Sequence, residues 1–134
     1  MARQLYVNLP VKNLDKSVGF FTGLGFSFNP QFTDETATCM IVSDEISVML
    51  LTEEKFKAFT PKAISDATKS TEVLLALSVD NREQVDETVC KAVAAGGSTY
   101  SKPNDLGFMY QHGFQDLDGH IWEVFYMDPA VIQK

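Results

Sequence analysis

Residues 108–127 read FMYQHGFQDLDGHIWEVFYM, and this stretch decides the fold. Residues 108–114 and 120–127 alternate between two faces with the period of two that is typical of β-strands. Between them, Asp116-Leu117-Asp118-Gly119 supplies the acidic residues and the glycine that tight turns favour. The stretch therefore predicts two strands joined by a hairpin turn.

The order of elements that ends in this hairpin occurs twice along the chain. The first half predicts a strand, a helix that Asn13 or Asp15 can cap, and three further strands, at residues 5–11, 26–32, 37–43 and 46–52. The second half predicts a strand, a helix preceded by Asn81, and three strands, at residues 73–79, 98–102, 108–114 and 120–127. An offset of 68 residues superposes the halves, so two β-α-β-β-β modules are predicted.

We predict an α+β fold in which the two modules form a curved, half-open barrel around a central cavity, with the helices outside. Residues 1–134 would form a single domain. Module one covers about residues 1–60, a connector covers about residues 61–71, and module two covers about residues 72–134. Each sheet would pack its own helix on one face and leave the other face for the cavity.

Each helix is predicted to bury apolar side chains between itself and its sheet. The side chains that share a face or recur at helical spacing are Leu5, Val7, Leu9, Val85, Val89 and Val93. We expect Cys39 and Cys90 to be reduced and buried as small apolar side chains, with one reactive thiol as the alternative.

The composition excludes several classes of partner. The chain has 134 residues, 45% of them hydrophobic and 22% charged, which is the balance of an ordinary globular protein. Its formal net charge of −7 has the wrong sign for nucleic acid or an anionic membrane surface. No window approaches the roughly 18 apolar residues of a membrane span, and the first residues lack the apolar core of a signal peptide. We therefore expect a cytoplasmic protein that has a small-molecule ligand and binds neither nucleic acid nor membrane.

Two segments resemble a known family. Residues 114–124, FQDLDGHIWEV, look like the closing hairpin of the glyoxalase, bleomycin resistance and extradiol dioxygenase group, the vicinal oxygen chelate superfamily, with Glu123 as its inward glutamate. Residues 7–14, VNLPVKNL, together with Phe20-Phe21 and residues 24–26, are similar to its first strand and helix. The resemblance covers essentially the whole chain and extends to the subgroup related to lactoylglutathione lyase. It implies a homodimer, because this family commonly pairs its modules between chains.

The resemblance also implies where a metal would bind. Members that use a metal place ligands at inward positions, which correspond here to Tyr6, Met49, Leu74 and Glu123. Zinc or nickel needs about three or more nitrogen, oxygen or sulfur donors, and only Glu123 is an ordinary ligand. We therefore predict no cofactor and no metal ligands, with a divalent metal disfavoured.

Alternation along the strands gives the candidate binding residues. Tyr6 and Asn8 on the first strand, and Glu123 and Phe125 on the last, would face the cavity. The lining would be mostly apolar, with Leu51, Ala76, Ser78 and Ile121 also on it. The predicted ligand-binding residues are Tyr6, Asn8, Met49, Leu74, Phe125 and His112.

Glu123 is the candidate catalytic residue, because a carboxylate among apolar side chains is suited to act as a general base. The alternative is that Glu123 remains at a former ligand position and accepts a bond from the Tyr6 hydroxyl or the Asn8 amide. If His112 faced inward, it and Glu123 could together move a proton between adjacent carbons of a ligand. The alternative is a surface or hydrogen-bonded histidine, and the pattern leaves the face of His112 open. His120 shares the parity of Trp122 and is expected to face away.

Two functions are compatible with these residues. The first is a glyoxalase/bleomycin-resistance-like protein that binds a small, partly apolar organic molecule without a catalytic metal. The alternative, which the resemblance implies, is a metal-assisted lyase or isomerase related to lactoylglutathione lyase, with Glu123 as base or ligand. The first is favoured because most of the donor positions carry side chains that are poor metal ligands.

Overall fold

The computed structural model describes residues 3–131. It contains two compact units whose boundary falls between Asp66 and Ala67, inside the predicted connector. Each unit has one four-stranded sheet and the element order β-α-β-β-β, apart from short additional helices. The predicted α+β class with two β-α-β-β-β modules is therefore confirmed.

In the first module, the last strand of the sheet pairs with the first strand. Its elements are β1 (Leu5–Val11), α1 (Leu14–Gly23), β2 (Ser27–Asn29), β3 (Ala37–Ile41) and β4 (Ile46–Thr52). The strand order is β1-β4-β3-β2, with β1 parallel to β4 and the other pairs antiparallel. A short helix, α2 (Glu53–Lys57), follows β4 directly.

The second module repeats this arrangement. Its elements are β5 (Leu74–Ser78), α3 (Arg82–Ala94), β6 (Asn104–Asp105), β7 (Met109–Gln115) and β8 (Ile121–Met127). The strand order is β5-β8-β7-β6, and β5 is parallel to β8. The hairpin of β7 and β8 is the one that the sequence predicts.

Both long helices begin at an asparagine. The Asn13 side chain accepts a hydrogen bond from the Lys16 backbone N–H at 3.0 Å, and Asn81 accepts one from the Gln84 N–H at 2.8 Å. Each bond satisfies an N–H that has no partner within its helix. The predicted cap at Asn81 is thus observed, and Asn13 rather than Asp15 caps α1.

Each core lies between a helix and one face of its sheet. In the second module, Val85 and Val89 of α3 are buried, as are Phe114, Trp122 and Val124 on the sheet. The ring planes of Phe114 and Trp122 are parallel to within 4°, with centroids 6.3 Å apart. The helix covers β7 and β8, so this face is closed to solvent.

Three of the predicted core residues are exposed. Leu5 is 58% exposed because it opens the edge strand β1, where α1 does not reach. Val93 is exposed and Ala92 is buried in its place, since the last turn of α3 presents the neighbouring residue to the sheet. Cys90 is also exposed, whereas Cys39 is buried on β3, and neither forms a disulfide.

Two strand predictions are wrong in extent. The predicted strand at residues 26–32 stops at Asn29, because Pro30 starts a short 3₁₀ turn that the Asn29 side chain caps. The predicted strand at residues 98–102 is not formed either. Only Ser98 pairs there, with Gln115, and the next paired residues are Asn104 and Asp105 of β6.

No helix in residues 3–131 is both long enough and apolar enough to cross a membrane.

The turn between β7 and β8 is organised by the Asp116 carboxylate. Its Oδ1 accepts hydrogen bonds from the backbone N–H groups of Asp118 and His120, both at 3.0 Å. Its Oδ2 accepts one from the Trp122 indole N–H, also at 3.0 Å. Burial raises the pKa of the Asp116 carboxyl, against the opposing effect of the His120 charge and these donors. One side chain thus links the turn to the core.

Gly119 completes the same turn under two constraints. Its φ is +88°, a conformation that disfavours a side chain. A Cβ at this position would also lie 2.8 Å from the Ala67 carbonyl oxygen. The turn therefore packs directly against the first residues of its module.

We expect Gly119→Ala to cost more stability than Gly107→Ala. Gly107 has a similar φ of +85° but nothing within 4 Å of its built Cβ, so it reports the backbone strain alone. The clash with Ala67 should add about 1–3 kcal/mol to the loss in Gly119→Ala. Urea unfolding of both variants measures the difference. Equal losses would contradict close packing of the turn.

Candidate functional site

Glu123 lies on the face of its sheet that α3 does not cover. The register of β8 pairs Glu123 with Ala76 on β5 and with Gly113 on β7, and paired residues point to the same side. Trp122 and Val124, which flank it in sequence, are buried on the opposite face. The predicted placement of Glu123 away from the helix is therefore observed.

The neighbours of Glu123 on this face, which we call the Glu123 face, are mostly apolar. They are Leu74, Ala76 and Ser78 on β5, Ile121 and Phe125 on β8, and Gln111, Gly113 and Gln115 on β7. Leu74 is 55% exposed, whereas Ile121, Glu123 and Phe125 are half-buried. Within residues 3–131 the Glu123 carboxylate has no hydrogen bond and no ion pair. It is therefore available to a ligand.

The corresponding face of the first module carries Tyr6, Asn8, Met49 and Leu51. The registers pair Met49 with Asn8 on one side and Cys39 on the other, and they pair Leu51 with Pro10. Cys39 and Leu51 are buried, whereas Tyr6 and Asn8 are exposed. The Tyr6 hydroxyl donates to the Gln4 side chain at 3.2 Å, and the Asn8 amide donates weakly to the Tyr6 carbonyl at 3.5 Å. Both polar groups thus bond to residues two positions earlier in the sequence.

The residues at the metal positions of the family do not fit a divalent cation. Tyr6 and Met49 lie on the face of the first sheet that carries Asn8, and Leu74 and Glu123 lie on the Glu123 face of the second. Leu74 has no donor atom, and a thioether is a poor ligand for zinc or nickel. Across the described part of the chain, no three His, Cys, Asp or Glu side chains are grouped as a metal centre requires.

His112 faces away from Glu123. The register pairs His112 with Val124, which is buried on the helix side of the sheet. Its Nε2 lies 3.0 Å from the Ser101 carbonyl oxygen. His112 and Glu123 are therefore not placed to move a proton together, and the hydrogen-bonded alternative for His112 is observed. His112 holds the segment before β6 against β7.

That segment, residues 99–103, bulges out of the sheet where a strand was expected. Its first end is fixed by the paired backbones of Ser98 and Gln115, with N···O distances of 3.1 and 2.7 Å. Beyond its other end, the Arg82 guanidinium bonds to Asp105 and to the Gly107 carbonyl, each at 2.9 Å. Bulges of this kind redirect a side chain, and here the redirected side chain is Tyr100.

Tyr100 is a residue of the Glu123 face that the sequence reasoning missed. A Cβ on Gly113 would overlap the Tyr100 hydroxyl, and ring carbon Cζ would be 2.7 Å from it. Because Gly113 pairs with Glu123, the phenol lies beside Glu123 on the same face. Burial and the charge of Glu123 both raise the pKa of the Tyr100 hydroxyl, so it stays protonated at neutral pH. A glycine in the middle of β7 was the available signal, since it marks close approach of another group.

The family model described as the glyoxalase/bleomycin resistance protein/dioxygenase superfamily matches residues 3–124. The chain therefore belongs to this superfamily. Its assignment to the subgroup related to lactoylglutathione lyase stays a prediction. The search of the curated proteins found no match.

Solved structures share the fold along almost the whole chain. A hypothetical protein from S. aureus is 30% identical, with a TM-score of 0.79 over 94% of this chain and 95% of that one. A glyoxalase-related enzyme from Fulvimarina pelagi is 20% identical, with a TM-score of 0.79 over 94% and 88%. The fosfomycin resistance protein FosX from Listeria monocytogenes is 16% identical, with a TM-score of 0.68 over 97% of each chain.

We expect the protein to bind neither nickel nor zinc stoichiometrically at micromolar concentration, because one carboxylate cannot hold either ion. Isothermal titration of the protein with each metal, followed by elemental analysis after dialysis, measures this. Glu123→Gln serves as the comparison and should behave like the parent. One equivalent of metal bound by the parent and lost in Glu123→Gln would overturn the expectation.

Proposed function

We propose that the protein binds a small, partly apolar organic molecule on the Glu123 face, without a catalytic metal. The observation that carries the proposal is the Glu123 carboxylate, which is half-buried on a mostly apolar face and has no partner among the described residues. A ligand that covers this carboxylate must replace its contact with water by a polar partner. A ligand with one polar group and an apolar body would bind the Glu123 carboxylate through the polar group. Its apolar body would cover the neighbouring apolar side chains.

The shape of the Glu123 face supports a flat or compact ligand. Ala76 and Ser78 are small, exposed side chains on β5, and Leu74 and Phe125 offer apolar surface beside them. Binding sites for small molecules combine mostly apolar walls with a few fixed polar groups. Proteins of this superfamily typically bind small molecules, which agrees with this composition.

Tyr6, Asn8 and Met49 are further candidate ligand contacts, and all three lie on the first module. Tyr6 and Asn8 offer polar groups on β1, and Met49 offers a flexible apolar side chain on β4. Methionine adapts its shape to different ligands. We retain Tyr6, Asn8 and Met49 as proposed binding residues of the first module. Leu74 and Phe125 are retained as proposed binding residues of the second. His112 is left out because it packs on the helix side.

The alternative function is a metal-assisted lyase or isomerase with Glu123 as base or ligand. The superfamily includes glyoxalases, which is the reason to consider this reaction. The residues at the ligand positions argue against it, since Leu74 and Met49 cannot replace imidazole or carboxylate. An assay of hemithioacetal isomerisation with and without added nickel or zinc separates the two. Turnover that rises with metal would eliminate a pure binding role.

A thermal-shift screen of small organic molecules should find a ligand whose binding depends on Glu123. At about 100 times its dissociation constant, a ligand stabilises the protein by roughly 2.7 kcal/mol. Glu123→Gln should weaken that ligand about tenfold, or ~1.4 kcal/mol, because the charged acceptor is lost while its size is kept. Calorimetric titration gives the affinities.

Glu72→Gln is the matched control, since Glu72 is exposed and lies outside the strands. It should leave the affinity unchanged. If Glu123→Gln instead melts at a higher temperature and binds as the parent does, Glu123 is only a tolerated remnant of an ancestral ligand position.

We also propose that the protein is a homodimer. Both sheets end in an apolar edge strand, β1 with Leu5 and β5 with Leu74, and both side chains are more than half exposed. Unpaired edges of this kind favour association with another chain. In this family, modules commonly pair between two chains, and such pairing would form a closed twofold dimer.

Sedimentation equilibrium at tens of micromolar should give a dimer, and Leu5→Lys should weaken it because a charge at an edge strand opposes pairing. Val93→Lys is the control, since Val93 is exposed on α3 and far in sequence from either edge strand. A monomeric parent, or equal effects of the two variants, would contradict the proposal.

A further inference from the structure

Tyr100 and Glu123 present opposite hydrogen-bonding capacities on one surface. The phenol is a donor that stays protonated, and an ionised carboxylate is an acceptor only. Both belong to the second module, where the pairing of Gly113 with Glu123 brings them together. The pair therefore exists within one compact unit of the chain.

The two groups are neighbours that do not bond to each other. In residues 3–131, neither the Tyr100 hydroxyl nor the Glu123 carboxylate has a hydrogen-bond partner. Cross-strand Cβ positions are about 4.5–5.5 Å apart, and the phenol occupies the Cβ space of Gly113. The two polar groups are therefore neighbours on one face, and one group of a ligand that contacts both would bridge them.

The bridging group must accept from the phenol and donate to the carboxylate. A hydroxyl does both through one oxygen, whereas an ammonium group donates only and a carbonyl accepts only. The surroundings, Ile121, Phe125 and Leu74, favour an apolar body attached to that group.

We propose that Tyr100 and Glu123 bind the hydroxyl group of an organic alcohol on the Glu123 face. The Tyr100 hydroxyl donates to the alcohol oxygen, and the alcohol donates to the Glu123 carboxylate. This inference rests on the proposed function and names the ligand class for it. Tyr100 is held in place by the bulge of residues 99–103, with His112 bonded to the neighbouring Ser101.

Three matched probes test the assignment: benzyl alcohol, toluene and benzylamine. Binding is measured from the backbone amide signals of Gly113, Glu123 and Phe125 during titration of each probe. Benzyl alcohol should bind more tightly than toluene and benzylamine. Tyr100→Phe should weaken benzyl alcohol about fivefold and Glu123→Gln about tenfold, with no change for toluene.

Two further variants distinguish the effect of moving the Tyr100 ring from a general effect of substitution in the second module. Gly113→Ala keeps both polar groups but displaces the Tyr100 ring, so it should weaken benzyl alcohol as Tyr100→Phe does. Tyr126→Phe is the control, because Tyr126 is on β8 but faces the helix side with Tyr110, and it should leave the affinity unchanged. Nuclear Overhauser contacts between the Tyr100 ring and the Gly113 α-protons should be present in the parent and lost in Gly113→Ala.

The outcomes distinguish failure of the pair from failure of the proposed function. Equal affinity of the parent and Tyr100→Phe for benzyl alcohol, or tighter binding of benzylamine, would overturn the alcohol assignment. If toluene still bound in those cases, the apolar site would stand without the pair. Absence of binding by all three probes would contradict the alcohol site and the proposed function together.

Discussion

The position of Glu123 depends on the three hydrogen bonds accepted by Asp116. Two of them fix the turn and the third fixes the Trp122 indole, so the strand after the turn cannot slip by one residue. A slip of one residue would exchange the two faces of β8, bringing Glu123 into the core and Trp122 out of it. The buried carboxylate therefore sets the register of the hairpin, and the register sets which side chain a ligand meets.

A second polar arrangement shapes the site from the other side of β7. The bulge before β6 is an irregular segment held by specific contacts, with the Ser98–Gln115 backbone pair at one end and the His112–Ser101 contact in its middle. These contacts fix the backbone on both sides of Tyr100, whose ring lies over the strand glycine Gly113. The Glu123 face thus combines a strand residue, Glu123, with a loop residue, Tyr100.

Periodicity along the sequence predicted the elements and the face of Glu123, because both depend on local patterns. The caps at Asn13 and Asn81 and the turn at residues 116–119 are local in the same sense. The face of His112 could also have been derived, since a hairpin around that turn pairs Phe114 with Trp122 and so His112 with Val124. Gly113 indicates that some group approaches β7 closely, but it does not identify Tyr100, whose position depends on contacts with a strand that follows it in sequence. The burial errors at Leu5 and Val93 have a related cause, since they depend on where a helix ends over its sheet.

The parallel pairing of the first and last strands has a consequence for how each module forms. Leu5 pairs with Ile46, and Leu74 pairs with Ile121, so each sheet is joined by residues from opposite ends of its module. Such long-range pairing loses the entropy of closing a long loop before the contacts between the strands stabilise the chain. It therefore forms more slowly than a local hairpin does. During synthesis, β1 must wait for β4, and β5 must wait for β8, while the hairpins β3–β4 and β7–β8 form within short stretches of chain. The strand that carries Glu123 is therefore also the one whose arrival completes the second module.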